Sequence, residues 1–189
     1  MAINTIYLDN AILKRANGIF NSQNPKNIRI VNLFQKSVFL LIQKKLLAAD
    51  FKIKFTAFKY MYHAAKLKEI DSFIKGEYFR HLVRGITGIG KFKIKYEIRK
   101  FGAGDYTILH DEAAATHAID FIIDFSEEKS SNGGHTVYLS RDEELLHVAP
   151  EPNTLAFIEK RRSIMKYTKY VNHNQKKPIL QVAGMVQKR

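Results

Sequence analysis

A chain of 189 residues with 31 Lys+Arg against 18 Asp+Glu carries a formal charge of +13, with 46% hydrophobic and 12% aromatic residues. That size and apolar fraction are enough for one domain with a sizeable core and argue against disorder. Cysteine is absent, which excludes disulfides, thiolate nucleophiles and cysteine-based zinc centres.

The N-terminus, Met1-Ala-Ile-Asn-Thr-Ile-Tyr-Leu-Asp9, has an early acid and no long apolar run, unlike a secretory signal. The longest apolar stretch, Val38-Phe-Leu-Leu-Ile42, stops at Gln43-Lys44-Lys45, far short of the ~20 residues that cross a bilayer. A cytoplasmic protein that does not engage membranes is therefore expected. From Ile30 to Ala49 apolar residues recur three and four apart at Leu33, Phe34, Val38, Leu41, Ile42 and Leu46. This spacing predicts a helix with Lys36, Gln43, Lys44 and Lys45 on its polar face. A second helix is predicted over about 56–67. A third is predicted over 72–85, with Phe73, Phe79, Leu82 and Val83 inward, Ser72 as its cap and Gly85 or Gly88 as its stop.

From Lys91 the period changes to two. Phe92-Lys-Ile-Lys-Tyr-Glu-Ile98 alternates apolar with charged residues, as a half-buried strand does. Further strands are predicted at 106–110, 118–125, 135–139, 145–148, 154–158, 165–171 and 180–186. Short strands at regular spacing point to a sandwich or jelly roll, and helices before a sheet make the class α+β. One domain over 1–189 is expected, with 1–90 as mainly helical support and 91–189 as the jelly-roll core.

His110 and Glu112 end one of these strands. Residues two apart in a strand share a side, so an imidazole and a carboxylate could meet one metal ion. Two His and one carboxylate is the usual donor set of non-haem Fe(II) in oxygenases. His63 and His81, predicted in helices, and His117, His135 and His147, on strands or strand edges, read as structural. Gly85-Ile-Thr-Gly-Ile-Gly90 precedes a strand and reads as a helix stop rather than a nucleotide loop. The pairs Glu127-Glu128 and Glu143-Glu144 read as solvated charge.

Several segments, in order, resemble the iron(II)/2-oxoglutarate-dependent dioxygenases of the prolyl-hydroxylase type, in the branch that includes hydroxylases of a ribosomal protein. They are Phe79-Arg-His-Leu-Val-Arg-Gly-Ile-Thr-Gly-Ile89, Lys100-Phe-Gly-Ala-Gly-Asp-Tyr-Thr-Ile-Leu-His-Asp-Glu112, Asn132-Gly-Gly-His-Thr-Val-Tyr-Leu139 and Val148-Ala-Pro-Glu-Pro-Asn-Thr-Leu-Ala-Phe157. The resemblance covers residues 30–189. It implies a double-stranded β-helix (jelly roll) with supporting N-terminal helices, and an Fe(II) ion and 2-oxoglutarate where the site is active. By the same resemblance His110 lands on the first iron ligand, and Glu112 on the family's Asp. Met165 lands on the second iron His, with His173 eight residues further on. Lys177, which directly precedes Pro178, is a better match than Lys176 to the Arg that pairs with the cosubstrate carboxylate, and Phe101 replaces a Tyr. A Lys neutralises such a carboxylate as a point charge but cannot form the bidentate fork.

Two readings stand at this point. In the first, the chain is a hydroxylase of a protein substrate, with a ribosomal protein as one candidate. In the second, it is a non-catalytic jelly roll whose basic surface docks on nucleic acid or ribonucleoprotein. For the latter, the basic runs are Lys91-Phe-Lys-Ile-Lys-Tyr96, Lys160-Arg-Arg162 and Lys166-Tyr-Thr-Lys-Tyr170, the first and last mixing cations with aromatics.

Overall fold

The computed structural model describes residues 3–57, 60–110, 118–141 and 143–188, apart from the side chains of Leu109 and His110. After a short turn of 3₁₀ helix at Thr5–Leu8 come α1 (Asn10–Ser22), β1 (Asn27–Val31), α2 (Lys36–Leu47), β2 (Lys52–Thr56) and β3 (Tyr60–Ala65). Next are α3 (Lys68–Lys75), α4 (Glu77–Thr87), β4 (Phe92–Phe101), β5 (Tyr106–His110) and β6 (Ala118–Asp124). The chain continues through β7 (Thr136–Ser140), β8 (Glu143–Val148), β9 (Thr154–Lys160), β10 (Met165–Thr168) and β11 (Ile179–Lys188).

Among the described residues these eleven strands form one curled antiparallel sheet, in the order β1-β9-β6-β11-β4-β3-β5-β10-β7-β8, with β2 added to β3. The curl makes two walls. β9, β6, β11 and β4 form one, and β5, β10, β7 and β8 the other. β3 joins them, because residues 63–65 pair with β4 while Tyr60 and Met61 pair with β5. This is the expected jelly roll with helices on one face. Residues 1–90 supply three strands to it as well as the helices.

The strand β6 is buried along its whole length because both its faces are covered. Ile119, Phe121 and Ile123 pack with the helices, whereas Ile122 packs with Tyr138 and Val148 of the opposite wall. Aromatic rings bind the helices to the sheet. Phe79 of α4 lies 5.0 Å from Phe121 and 6.2 Å from Phe157, and Phe34 lies 5.0 Å from Phe73 and 5.5 Å from Phe125. Asn153, at φ 58°, clamps the approach to α2: its side chain accepts from the Phe34 amide at 2.9 Å and donates to the Phe34 carbonyl at 3.0 Å.

Three helical expectations are corrected. The segment 56–67 contains the strand β3, because Tyr60, Tyr62 and Ala64 alternate with period two and pair with β2, β4 and β5. The helix predicted over 72–85 is two helices, α3 and α4, meeting at Gly76. A Cβ there would lie 2.8 Å from the Ser72 carbonyl oxygen, and Gly88, left-handed at φ 74°, ends α4. α2 starts at Lys36 rather than Ile30, and its buried face is turned from the predicted one. Gln43 is buried, donating to the Phe125 and Ser126 carbonyls at 3.0 and 2.9 Å, while Leu41 is 58% exposed. α1, capped by the Asp9 side chain on the Ala11 amide at 2.7 Å, was not foreseen at all, its apolar residues being few.

Candidate functional site

The face of each strand that points between the walls is set by alternation, so one rung of β10 decides the site. Met165 pairs with Leu139 and is half-buried, whereas Lys166 is buried and lies opposite His110 of β5. The residue facing inward across from His110 is therefore a lysine. Its ammonium donates to Asp120 Oδ2 of β6 at 2.8 Å, with 10% of the Lys166 side chain and 1% of the Asp120 side chain exposed. The Tyr138 hydroxyl lies 3.4 Å from the same oxygen. The other oxygen, Oδ1, is buried without a hydrogen-bond partner. Around the pair stand Arg99 of β4, Thr107 of β5 and Gln181 of β11, enclosing a cavity of about 10 Å³.

Two neighbouring groups share this polar interior. Arg99 donates to Glu97 at 3.0 Å and lies 5.1 Å from the centre of the Tyr62 ring, whose hydroxyl also donates to Glu97 at 2.8 Å. Burial pushes the Tyr62 phenol up to about 12, against an opposing effect of Arg99. Asp124, four residues along β6 from Asp120 and on the same face, accepts from the Ser126 amide at 2.8 Å and from Gln181 at 3.1 Å. Complete burial raises its pKa to about 6 despite those bonds.

Among the described residues the other sequence candidates are dispersed. Glu112 lies outside the described residues, as does the side chain of His110. Lys177 sits before β11, half-exposed, with its ammonium 3.5 Å from Glu127 and away from the cavity around Asp120. Phe101 is buried against Tyr62. His63 faces Asp105 at 3.3 Å, His135 stacks on His147 at 5.8 Å, and His173 meets the Tyr170 hydroxyl at 2.8 Å. Among the described residues no group of three His, Asp or Glu could hold a metal ion.

Among the described residues, those around this pair do not fit an iron ion. An ammonium at the rung facing His110 repels a divalent cation, and Asp120 is already neutralised by it. The space left around the pair, about 10 Å³, holds about one water. Sequence reasoning missed Lys166 and Asp120. The signal was Asp120 and Asp124, two acids on one face of the otherwise apolar run Ala118-Ile-Asp-Phe-Ile-Ile-Asp124.

Comparison with known proteins agrees with this architecture. The family described as oxoglutarate and iron-dependent oxygenase degradation C-term matches residues 53–188. The prolyl 3-hydroxylase OGFOD1 of Mus musculus is 36% identical over 81 residues, a stretch that is 41% of this chain and 15% of that protein. The chain thus matches only a small part of that relative's length. Solved structures share the fold, among them two prolyl hydroxylases. A Pseudomonas putida prolyl-4-hydroxylase is 8% identical with TM-score 0.69, covering 94% of this chain and 99% of that one. A prolyl hydroxylase from Trichoplax adhaerens, in complex with a hypoxia inducible factor oxygen degradation domain peptide fragment, is 14% identical with TM-score 0.67, covering 98% and 94%.

Proposed function

The chain belongs to the family of the oxoglutarate and iron-dependent oxygenase degradation C-terminal region, and from that premise we propose a non-catalytic member, a jelly roll kept as a protein-binding scaffold. The observation that carries this reading is the Lys166–Asp120 pair, which occupies the barrel interior at the rung facing His110. An ion pair there serves the fold instead of a metal, and the near-full cavity leaves the outer surface as the part available to partners. A protein partner is favoured over nucleic acid. Two of the three basic runs lose a lysine to the interior, since Lys160 is 1% exposed and Lys166 is 8% exposed. Tyr96, in the remaining run Lys91–Tyr96, is tied to Asp71 at 2.6 Å.

The test is an anaerobic titration of the purified chain with Fe(II) and 2-oxoglutarate, watching for the metal-to-ligand charge-transfer band, with His110→Ala as control. The scaffold reading expects no saturable band at millimolar cosubstrate. A saturable band that disappears in His110→Ala would overturn it and restore the hydroxylase reading. A nucleic-acid reading would instead require binding to mixed RNA or DNA that weakens steeply and linearly on a log–log salt plot.

A further inference from the structure

The strand β2 lies outside the main strand order. It pairs with β3 along one edge, and among the described residues no strand pairs with the other. Its side chains alternate cleanly. Lys52 and Lys54 point to one side, and Ile53 and Phe55 to the other, 63% and 61% exposed. Edge strands are usually blunted by charge, and an exposed apolar pair on one is a pairing surface. Beside it runs a broad groove between the β2–β3 hairpin and the ends of α2 and α3, about 1500 Å³ in volume, with Ala64 and Ala65 along its β3 side. Lys66 and Lys68 stand at the same groove. Among the described residues neither they nor Lys52 and Lys54 form an ion pair, whereas the nearby Glu69, Asp71 and Glu97 are paired with Lys45, Lys75 and Arg99.

The charge pattern selects the occupant. In an antiparallel pair, directly opposite residues share a face. Self-pairing of β2 centred on Lys54 sets Lys54 against its own copy. Moving the centre to Ile53 sets Lys52 against Lys54. Like charges directly opposite destabilise a sheet, so both of these registers are poor for a second copy, and the register centred on Phe55 leaves the lysines without an opposite charge. A strand with acids opposite Lys52 and Lys54, and apolar residues opposite Ile53 and Phe55, satisfies both faces and the free backbone groups together. We propose that the β2 edge is a docking site for an extended segment of another protein in which acidic and apolar residues alternate, added to the sheet as a further strand. The biological use of this site rests on the scaffold reading, but its chemistry is independent of iron.

The test uses the full chain and a short fluorescent peptide alternating glutamate with valine, beside the same peptide with lysine for glutamate. Expected are saturable binding of the acidic peptide alone and slowed amide exchange in β2. Binding should weaken at least about tenfold in Lys54→Glu and in Phe55→Ser, with Tm unchanged because both side chains are exposed. Three outcomes would overturn the proposal: equal affinity for the two peptides, protection outside β2, or concentration-dependent self-association abolished by Phe55→Ser. A charge-transfer band in the iron titration would remove the scaffold reading and leave this result standing, so the two fail separately.

Discussion

Lys166 and Asp120 hold opposite charges 2.8 Å apart where little water can enter. Such a pair gives little net stability compared with apolar residues of the same size, but removing one partner strands a buried charge. Lys166→Ala should therefore cost about 3–5 kcal/mol in urea unfolding. The double replacement Lys166→Met with Asp120→Leu should recover most or all of that loss, and an equally unstable double variant would refute the argument. Asp124 gives a pH dependence of opposite character. Burial raises its folded-state pKa to about 6, above the ordinary carboxylate value near 4, so the folded chain takes up a proton that the unfolded chain holds less tightly. Stability from this group is complete below about pH 4 and is lost as pH rises through about 6. Asp124→Asn should remove that loss. The variant's advantage over the parent should be small at pH 4 and grow to roughly 3 kcal/mol by pH 7.5, read from urea midpoints. An advantage that stays flat with pH would show that Asp124 is ionised at no cost.

At the scale of elements, the hairpin before β7 depends on backbone packed against backbone. Gly133 has φ 104°, and a Cβ on it would sit 2.0 Å from the Tyr170 carbonyl oxygen. Gly133→Ala should lower stability by more than about 2 kcal/mol. Gly90→Ala, at an open position with nothing within 4 Å, should change it by less than about 0.5 kcal/mol. Thermal unfolding of the two variants side by side checks this. The Gly-Gly pair was visible in the sequence as part of a resemblance, but its reason, the close approach of residues 170 and 171, is tertiary. Half-buried strands such as β4 were legible because alternation persists wherever one face is buried, whereas β6 and β9 read as short apolar runs. The β3 segment was harder to read because Tyr60-Met-Tyr-His-Ala-Ala65 mixes aromatic alternation with good helix formers. Its pairing with both walls resolved it as a strand. The face of α2 was misjudged because Leu40, Leu41 and Leu47 are exposed while Gln43 is buried, bonded to the end of β6.

For the whole molecule, β3 is the element that ties one wall to the other, and α4 covers the outer face of β6 and β9. The fragment 91–189, which contains most of the strands, lacks both. It would expose Phe121 and Phe157 and leave the inner edges of β4 and β5 open. It should show no cooperative thermal transition and no near-ultraviolet circular dichroism of the native kind, while the full chain shows both. A cooperatively folding fragment would mean that the N-terminal residues are dispensable. Among the described residues no helix is long and apolar enough to cross a membrane.

By itself the sequence determined the class of fold, because periods of three to four and then two dictate which segments can bury one side. It also determined that His110 ends a strand, and that the chain is strongly basic and free of cysteine. Tertiary structure alone decided which residue faces His110. Alternation puts neighbours on opposite sides of a strand, so a shift of a single residue exchanges the half-buried thioether of Met165 for the ammonium of Lys166. The partner of that ammonium, Asp120, is 46 residues away in the chain, and only closure of the two walls brings them within 2.8 Å. An interior built on that contact holds an ion pair with room beside it for about one water, and the physical reason is charge neutralised in a space of about 10 Å³.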